Sequence, residues 1–281
     1  MKTVYFFEWH GRKNKIKNLL TYPLLFWLFI LLAGMMADGF FPGFNAQYMK
    51  WPDYIKQLLG IGGWSGRLWY NMWQFFAVFY PFFHIYVLMN CLLDSLQDEI
   101  QLETIVFLRN TGVGNVTVMG TKFVCWAGVA LLGCLSQFLL LALFGKLSGI
   151  GVVTSILWRY YGVLFAVSVF YMAVALYVSV GRQKRQECKD THLTLLVLPW
   201  LLAKVPGVIF LFAELLKLTG RSEVLVTNVA IWEEKTAFLR FVSPVAWCSP
   251  QGTEISFGIA AAYVLIAGIL GFFALKKYRE L

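Results

Sequence analysis

An all-α membrane protein with six transmembrane helices is the fold class this sequence predicts, and three observations predict it. Its 281 residues are 59% hydrophobic and only 14% charged, against about 45–50% apolar and about 25% charged in a soluble domain. Six runs at 19–36, 68–93, 123–145, 160–180, 193–213 and 255–275 carry almost no charge, and each approaches or exceeds the roughly 20 residues a spanning helix needs. Lys and Arg are also shared unequally between the loops that alternate across such a bundle, as in multi-pass proteins. The runs are continuous, whereas barrel strands would alternate in polarity over about 10 residues.

Taken in chain order, residues 1–18 open with Val4, Tyr5, Phe6, Phe7 and Trp9 and turn basic at Arg12, Lys13, Lys15 and Lys17. That composition suits an elbow helix lying in the headgroup layer before the first span. The basic lead and the length of the following run read as a retained span rather than a cleaved signal. Beyond the first span, Trp51, Tyr54, Ile55, Leu58 and Leu59 recur at helical spacing, with Pro52 suited to a first turn and Gly60, Gly62 and Gly63 to a stop. They predict a short amphipathic helix on the outer surface. The fifth span is interrupted by Lys204, and Arg159, followed by Tyr160 and Tyr161, marks an outer interface where aromatic residues gather. Residues 214–254 mix charge with Trp232, Phe238, Phe241, Trp247, Pro244 and Pro250. Such a segment can re-enter the membrane where protein shields its backbone. Nothing repeats and no linker interrupts the pattern, so residues 1–281 read as one domain.

The side holding the termini carries 14 of the 24 basic residues and the opposite side 8, which places both termini in the cytoplasm by the positive-inside rule. The net charge of +9 is therefore topological. No segment is long enough to build the basic face that a nucleic-acid partner requires. Cys91, Cys125, Cys134, Cys188 and Cys248 show no metal-ligand spacing, and three of them lie in apolar spans, so a disulfide framework is not expected.

Few motifs carry chemistry. Residues 114–122 read Gly-Asn-Val-Thr-Val-Met-Gly-Thr-Lys, one residue too long between the glycines for a phosphate-binding loop and with Thr and Lys in the wrong order. No metal site is expected from His10, His84 and His192, and neither a zinc-binding HExxH nor a nucleophile elbow occurs. His84, inside the second span, reads as a buried histidine bonded to a neighbouring helix or as a proton relay. Lys204 reads as a snorkelling side chain or as a charge facing a cavity. In the second span Trp69, Trp73, Phe76, Tyr80 and Phe83 share one helical stripe. Packing or lipid contact is its default role. With His84 and Lys204 the stripe also makes the candidate wall of a path for amphipathic substrates.

The segment after the second span is the most informative. Asp98, Glu99 and Glu103 suit a helix N-terminus, Leu102, Ile105 and Leu108 make an apolar edge, and the run breaks at Thr111-Gly112-Val113-Gly114. By themselves these residues favour a solvated loop over a short surface helix. In order and approximate spacing, however, Asp98-Glu99, Thr104, Leu108 and Gly120 with Lys122 match the coupling helix of another class of protein. The chain resembles the permease subunits of type-2 ABC exporters, over its whole length. Glu103 stands where that family usually has glycine, Gly112 near its usual proline and Asn115 near its usual arginine, and Thr121 separates Gly120 from Lys122.

The resemblance implies a dimer of permeases in a bacterial cell membrane, with a separate ATPase docking on a cytoplasmic coupling helix through Asp98, Glu99, Glu103, Thr104, Leu108 and Arg109. ATP and Mg would be held by that partner and no cofactor by this chain, which would not itself be an enzyme. The aromatic second span tilts the implied cargo towards an amphipathic peptide, bacteriocin, toxin or drug. Two other classes stay open on the residues: a membrane-embedded enzyme acting on lipid or peptide, and a proton-coupled carrier using His84 or Lys204. A carrier would be expected to show inverted repeats.

Overall fold

The computed structural model describes residues 8–40, 68–101, 114–149, 153–181, 184–219, 231–232, 235–236, 238–239, 242–248 and 255–279. Six long helices account for nearly all of them: α1 Lys13–Phe40, α2 Leu68–Gln101, α3 Asn115–Leu147, α4 Val153–Gly181, α5 Arg185–Leu218 and α6 Ile255–Arg279. Each contains one of the six expected spans. All six are long and apolar enough to cross a membrane, and no strand occurs among the described residues. The shortest, 25 residues, measures about 38 Å at 1.5 Å per residue, more than the ~30 Å of bilayer hydrocarbon. The chain is a multi-pass membrane protein.

Local chemistry explains where α2 starts. Backbone Leu68, the first residue of α2, donates to both carboxylate oxygens of Asp38 at 2.9 and 3.0 Å. An acid at the end of α1 thus caps the next helix, where free N–H groups and the helix dipole favour a negative charge. Pro23, Pro81, Pro199 and Pro206 lie inside helices, a placement that neighbouring helices make tolerable in membranes. Before α1, residues 8–11 are helical and a turn at Arg12 follows.

Helices α2 and α4 form the centre. Helix α2 packs on α1, α3, α4 and α5, while α4 packs on α2, α3, α5 and most extensively on α6. Two reasons are visible. Gly34 of α1 approaches so closely that a Cβ there would lie 2.7 Å from Trp69 Cβ and 2.9 Å from its backbone nitrogen. Ala260, Ala267 and Ala274 recur every seven residues along α6 and are all buried, which lets two backbones approach where lipid supplies no hydrophobic drive between helices. Two apolar clusters result. One holds Trp27, Trp69, Trp73, Tyr160 and Tyr161, and the other Leu88, Leu92, Met119, Trp126 and Met172 near the end where α1 begins.

The sequence expected an amphipathic helix at Trp51 to Leu59, which lies outside the described residues. Of the expected re-entrant region, α5 takes residues up to Leu218, and Pro244–Trp247 forms a short 3-10 helix whose Ser243 hydroxyl accepts from backbone Ala246. It packs against α4 and α5.

Candidate functional site

Two places on α2 stand out, one densely charged and one a mainly apolar groove. The first is the end of the bundle where α1 begins and α2 finishes. Asp94, Ser95 and Asp98 occupy the last turns of α2, and Lys122 the first turns of α3. Lys122 is 1% exposed and Glu8 6%, so both charges are withdrawn from water. The Lys122 ammonium donates to Glu8 Oε2 at 2.7 Å, to the Ser95 carbonyl at 2.9 Å and to Ser95 Oγ at 2.8 Å. Glu8 also accepts from the Ser95 hydroxyl and, at 3.0 Å, from the Trp126 indole. A buried pair is tolerable when its remaining lone pairs and protons are used in this way. Burial pushes the Glu8 carboxyl up, but the charge and hydrogen bond of Lys122, the hydrogen bond of Ser95 and the charge of Arg12 together outweigh it and hold the group below its ordinary 4.5.

A more exposed ring of charge surrounds this pair. Arg12 bridges Glu8 at 3.2 Å and Asp98 at 2.8 Å. Asp94 accepts from Lys15 at 3.0 Å and from the Arg185 guanidinium, and Arg185 also reaches Asp98 at 3.7 Å. The segment before α1 is thereby tied directly to α2 and α3, and α5 joins through the two acids of α2. Glu99 lies in the last turn of α2. Glu103, Thr104, Leu108 and Arg109 lie outside the described residues. Of the expected coupling residues, Asp98 is thus held by Arg12 and Arg185 of its own chain.

The second place is a groove between α1 and α2. Tyr80, Phe83 and His84 line it on α2, and Tyr22 and Pro23 on α1, around a cavity of about 350 Å³. His84 is 4% exposed. Its Nδ1 lies 3.2 Å from Tyr80 Oη and its Nε2 3.9 Å from Cys134 Sγ on α3. Nearby, the Trp27 indole donates to Gln137 Oε1 at 3.0 Å, which bonds α1 to α3 within the membrane. The bonded-histidine reading of His84 therefore has named partners on both ring nitrogens.

The aromatic stripe divides. Trp69 and Trp73 are fully packed, edge-on to Phe144 and Tyr160 at 5.3 and 5.7 Å. Phe76 is half-buried against Phe26. Tyr80 packs at a tilt between Trp27 and His84, whereas Phe83 is 70% exposed. One stripe thus holds core residues at its start and groove residues further along. Lys204 is half-buried on α5, its ammonium 5.5 Å from the Trp200 ring, and Trp200 packs edge-on to Phe82. It does not share the groove. All five cysteines are free thiols, and no three His, Cys, Asp or Glu side chains gather as a metal set among the described residues.

The Glu8–Lys122 pair was not legible in advance. A single acid in an aromatic and basic leader and a lysine at the foot of a span are both ordinary, and nothing local signals that positions 114 residues apart meet. No family model, no curated protein and no solved structure matches the chain.

Proposed function

We propose that this chain is the membrane-spanning subunit of an ATP-driven exporter, energised by a separate ATPase and moving an amphipathic cargo such as a peptide, bacteriocin, toxin or drug. The observation that carries the reading is the segment between α2 and α3. It follows Asp98-Glu99 in the last turns of α2 and precedes Gly120 and Lys122 in the first turns of α3, in a chain of six spans without a nucleotide-binding motif of its own. The ion network adds a physical rationale. The α2 end is fastened to the N-terminal turn by Arg12 and to α5 by Arg185, and the α3 end to the N-terminal turn by Glu8. A push on the segment would therefore reach three helices rather than one. Two states separated by differential contacts at an ATPase surface are enough to turn such a push into alternating access. On this reading both termini are cytoplasmic, the working unit contains two copies, and the membrane is that of a bacterial cell.

The test is co-purification. The detergent-extracted chain should retain a Walker-motif ATPase of its own organism when the two are co-expressed. Glu99→Lys combined with Leu108→Asp should reduce retention at least about tenfold while the chain still reaches the membrane, since like charge and a lost apolar anchor together remove more than about 1.4 kcal/mol. Unchanged retention in the double variant would count against the exporter. Turnover of a lipid or peptide by the purified chain without nucleotide would favour the enzyme, and transport driven by a pH gradient alone would favour the carrier.

A further inference from the structure

The groove between α1 and α2 does not end blindly. Its α1 wall runs from Tyr22 and Pro23 through Leu19 to Lys15, and its α2 wall from Phe83 through Val87 to Cys91. Lys15 is also a wall of a second, polar hollow of about 290 Å³ formed by His10, Arg12, Lys13 and Asn14. One lysine is therefore shared between an apolar trough and a basic cup. The trough spans residues 15–23 on α1 and 80–91 on α2, or roughly 12–16 Å at the helical rise, about half of the ~30 Å hydrocarbon core and hence one leaflet deep.

The charge at the mouth is not balanced from within. Arg12, Lys13, Lys15, Lys122 and Arg185 stand against Glu8, Asp94 and Asp98, five basic residues against three acidic ones, and Lys13 has no acidic partner among the described residues. At the deep end, His84 has both ring nitrogens engaged by Tyr80 and Cys134. The trough therefore presents apolar surface, with Tyr22 63% and Phe83 70% exposed into it. An apolar slot one leaflet deep beneath a basic cup has the form of an acyl chain below an anionic headgroup.

We propose that this groove holds one anionic phospholipid, with its phosphate at Lys13 and Lys15 and an acyl chain laid along Leu19, Phe83 and Val87. The trough volume lies within the range of small-molecule sites, about 300–1,000 Å³, and suits one chain rather than a whole bilayer patch. The proposal stands apart from the transport reading, because a chain with any membrane function could carry such a lipid. Its readout is binding, so either reading can fail alone.

The experiment is native mass spectrometry of the full chain in non-ionic detergent, offered phosphatidylglycerol or phosphatidylcholine of identical acyl chains. One phosphatidylglycerol should be retained, with saturation at one per chain, at least about fivefold better than phosphatidylcholine. Lys13→Gln keeps the Lys15–Asp94 pair and should lower that preference about fivefold, the size expected for one basic residue at a membrane surface. Val87→Trp, at a 41% exposed position, should fill the trough and lower retention of both lipids without changing the unfolding temperature. Soluble glycerol phosphate should not displace the bound lipid, because it lacks the chain that occupies the trough. Equal retention of the two lipids, non-saturating multiple binding, indifference to Val87→Trp, or displacement by glycerol phosphate would each overturn the proposal.

Discussion

Glu8 and Lys122 are the pair on which the N-terminal turn depends. Removing one partner strands the other charge in a site almost closed to water, and breaking a buried pair costs about 3–5 kcal/mol. Glu8→Gln should therefore lower thermal stability in detergent by that order, as should Lys122→Met. The double variant should lose much less than the sum of the two, because it leaves no orphaned charge. The pH dependence follows from the direction of the Glu8 shift. Its folded pKa is depressed, so the stability it contributes is complete above about pH 4.5 and drains away as pH falls through the lower folded value. Unfolding scans from pH 7 downwards should show this loss in the parent protein and a flatter profile in Glu8→Gln. Equal profiles in the two would remove the role given to Glu8.

At the scale of elements, the close approach of α1 and α2 rests on one missing side chain. Gly34 faces the Cα and Cβ of Trp69, and since those atoms belong to a buried residue of a central helix they cannot simply swing aside. Gly34→Ala should force the helices apart and destabilise the protein by about 1–3 kcal/mol, the range for overpacking. Gly34→Leu should do worse, whereas Gly39→Ala, which meets nothing within 4 Å, should be nearly neutral in the same unfolding assay. This contact also marks what could be read in advance. All six spans were legible because about 20 apolar residues have few other uses. The helices nevertheless outrun the apolar runs, since α1 begins at Lys13 and α2 continues to Gln101, where polar residues pair with one another instead of ending the helix. The aromatic stripe of α2 was legible as periodicity but not as function. Trp73 and Phe83 obey the same spacing, and only the neighbours supplied by α1, α3 and α4 make one core and the other groove.

At the scale of the whole molecule, the ion network fixes which loops share an end. Arg185 of α5 reaches Asp94 and Asp98 of α2, so the start of α5 lies on the side of the segment that leaves α2, and Lys146 in the last turn of α3 lies at the other. The excess of Lys and Arg on the first side predicts that it faces the cytoplasm. That orientation is a condition of the proposed function, because an ATPase can dock only where ATP is present. Lys146 and Lys184 are both exposed and the five native thiols are buried or half-buried, so single cysteines at these positions report the two sides. A membrane-impermeant maleimide added to intact cells should label Lys146→Cys and leave Lys184→Cys untouched until the membrane is opened. The reverse pattern would put Asp98, Glu99 and the rest of the segment outside the cell. ATP-driven coupling through them would then be physically impossible, although the anionic-lipid groove between α1 and α2 would survive, in the other leaflet.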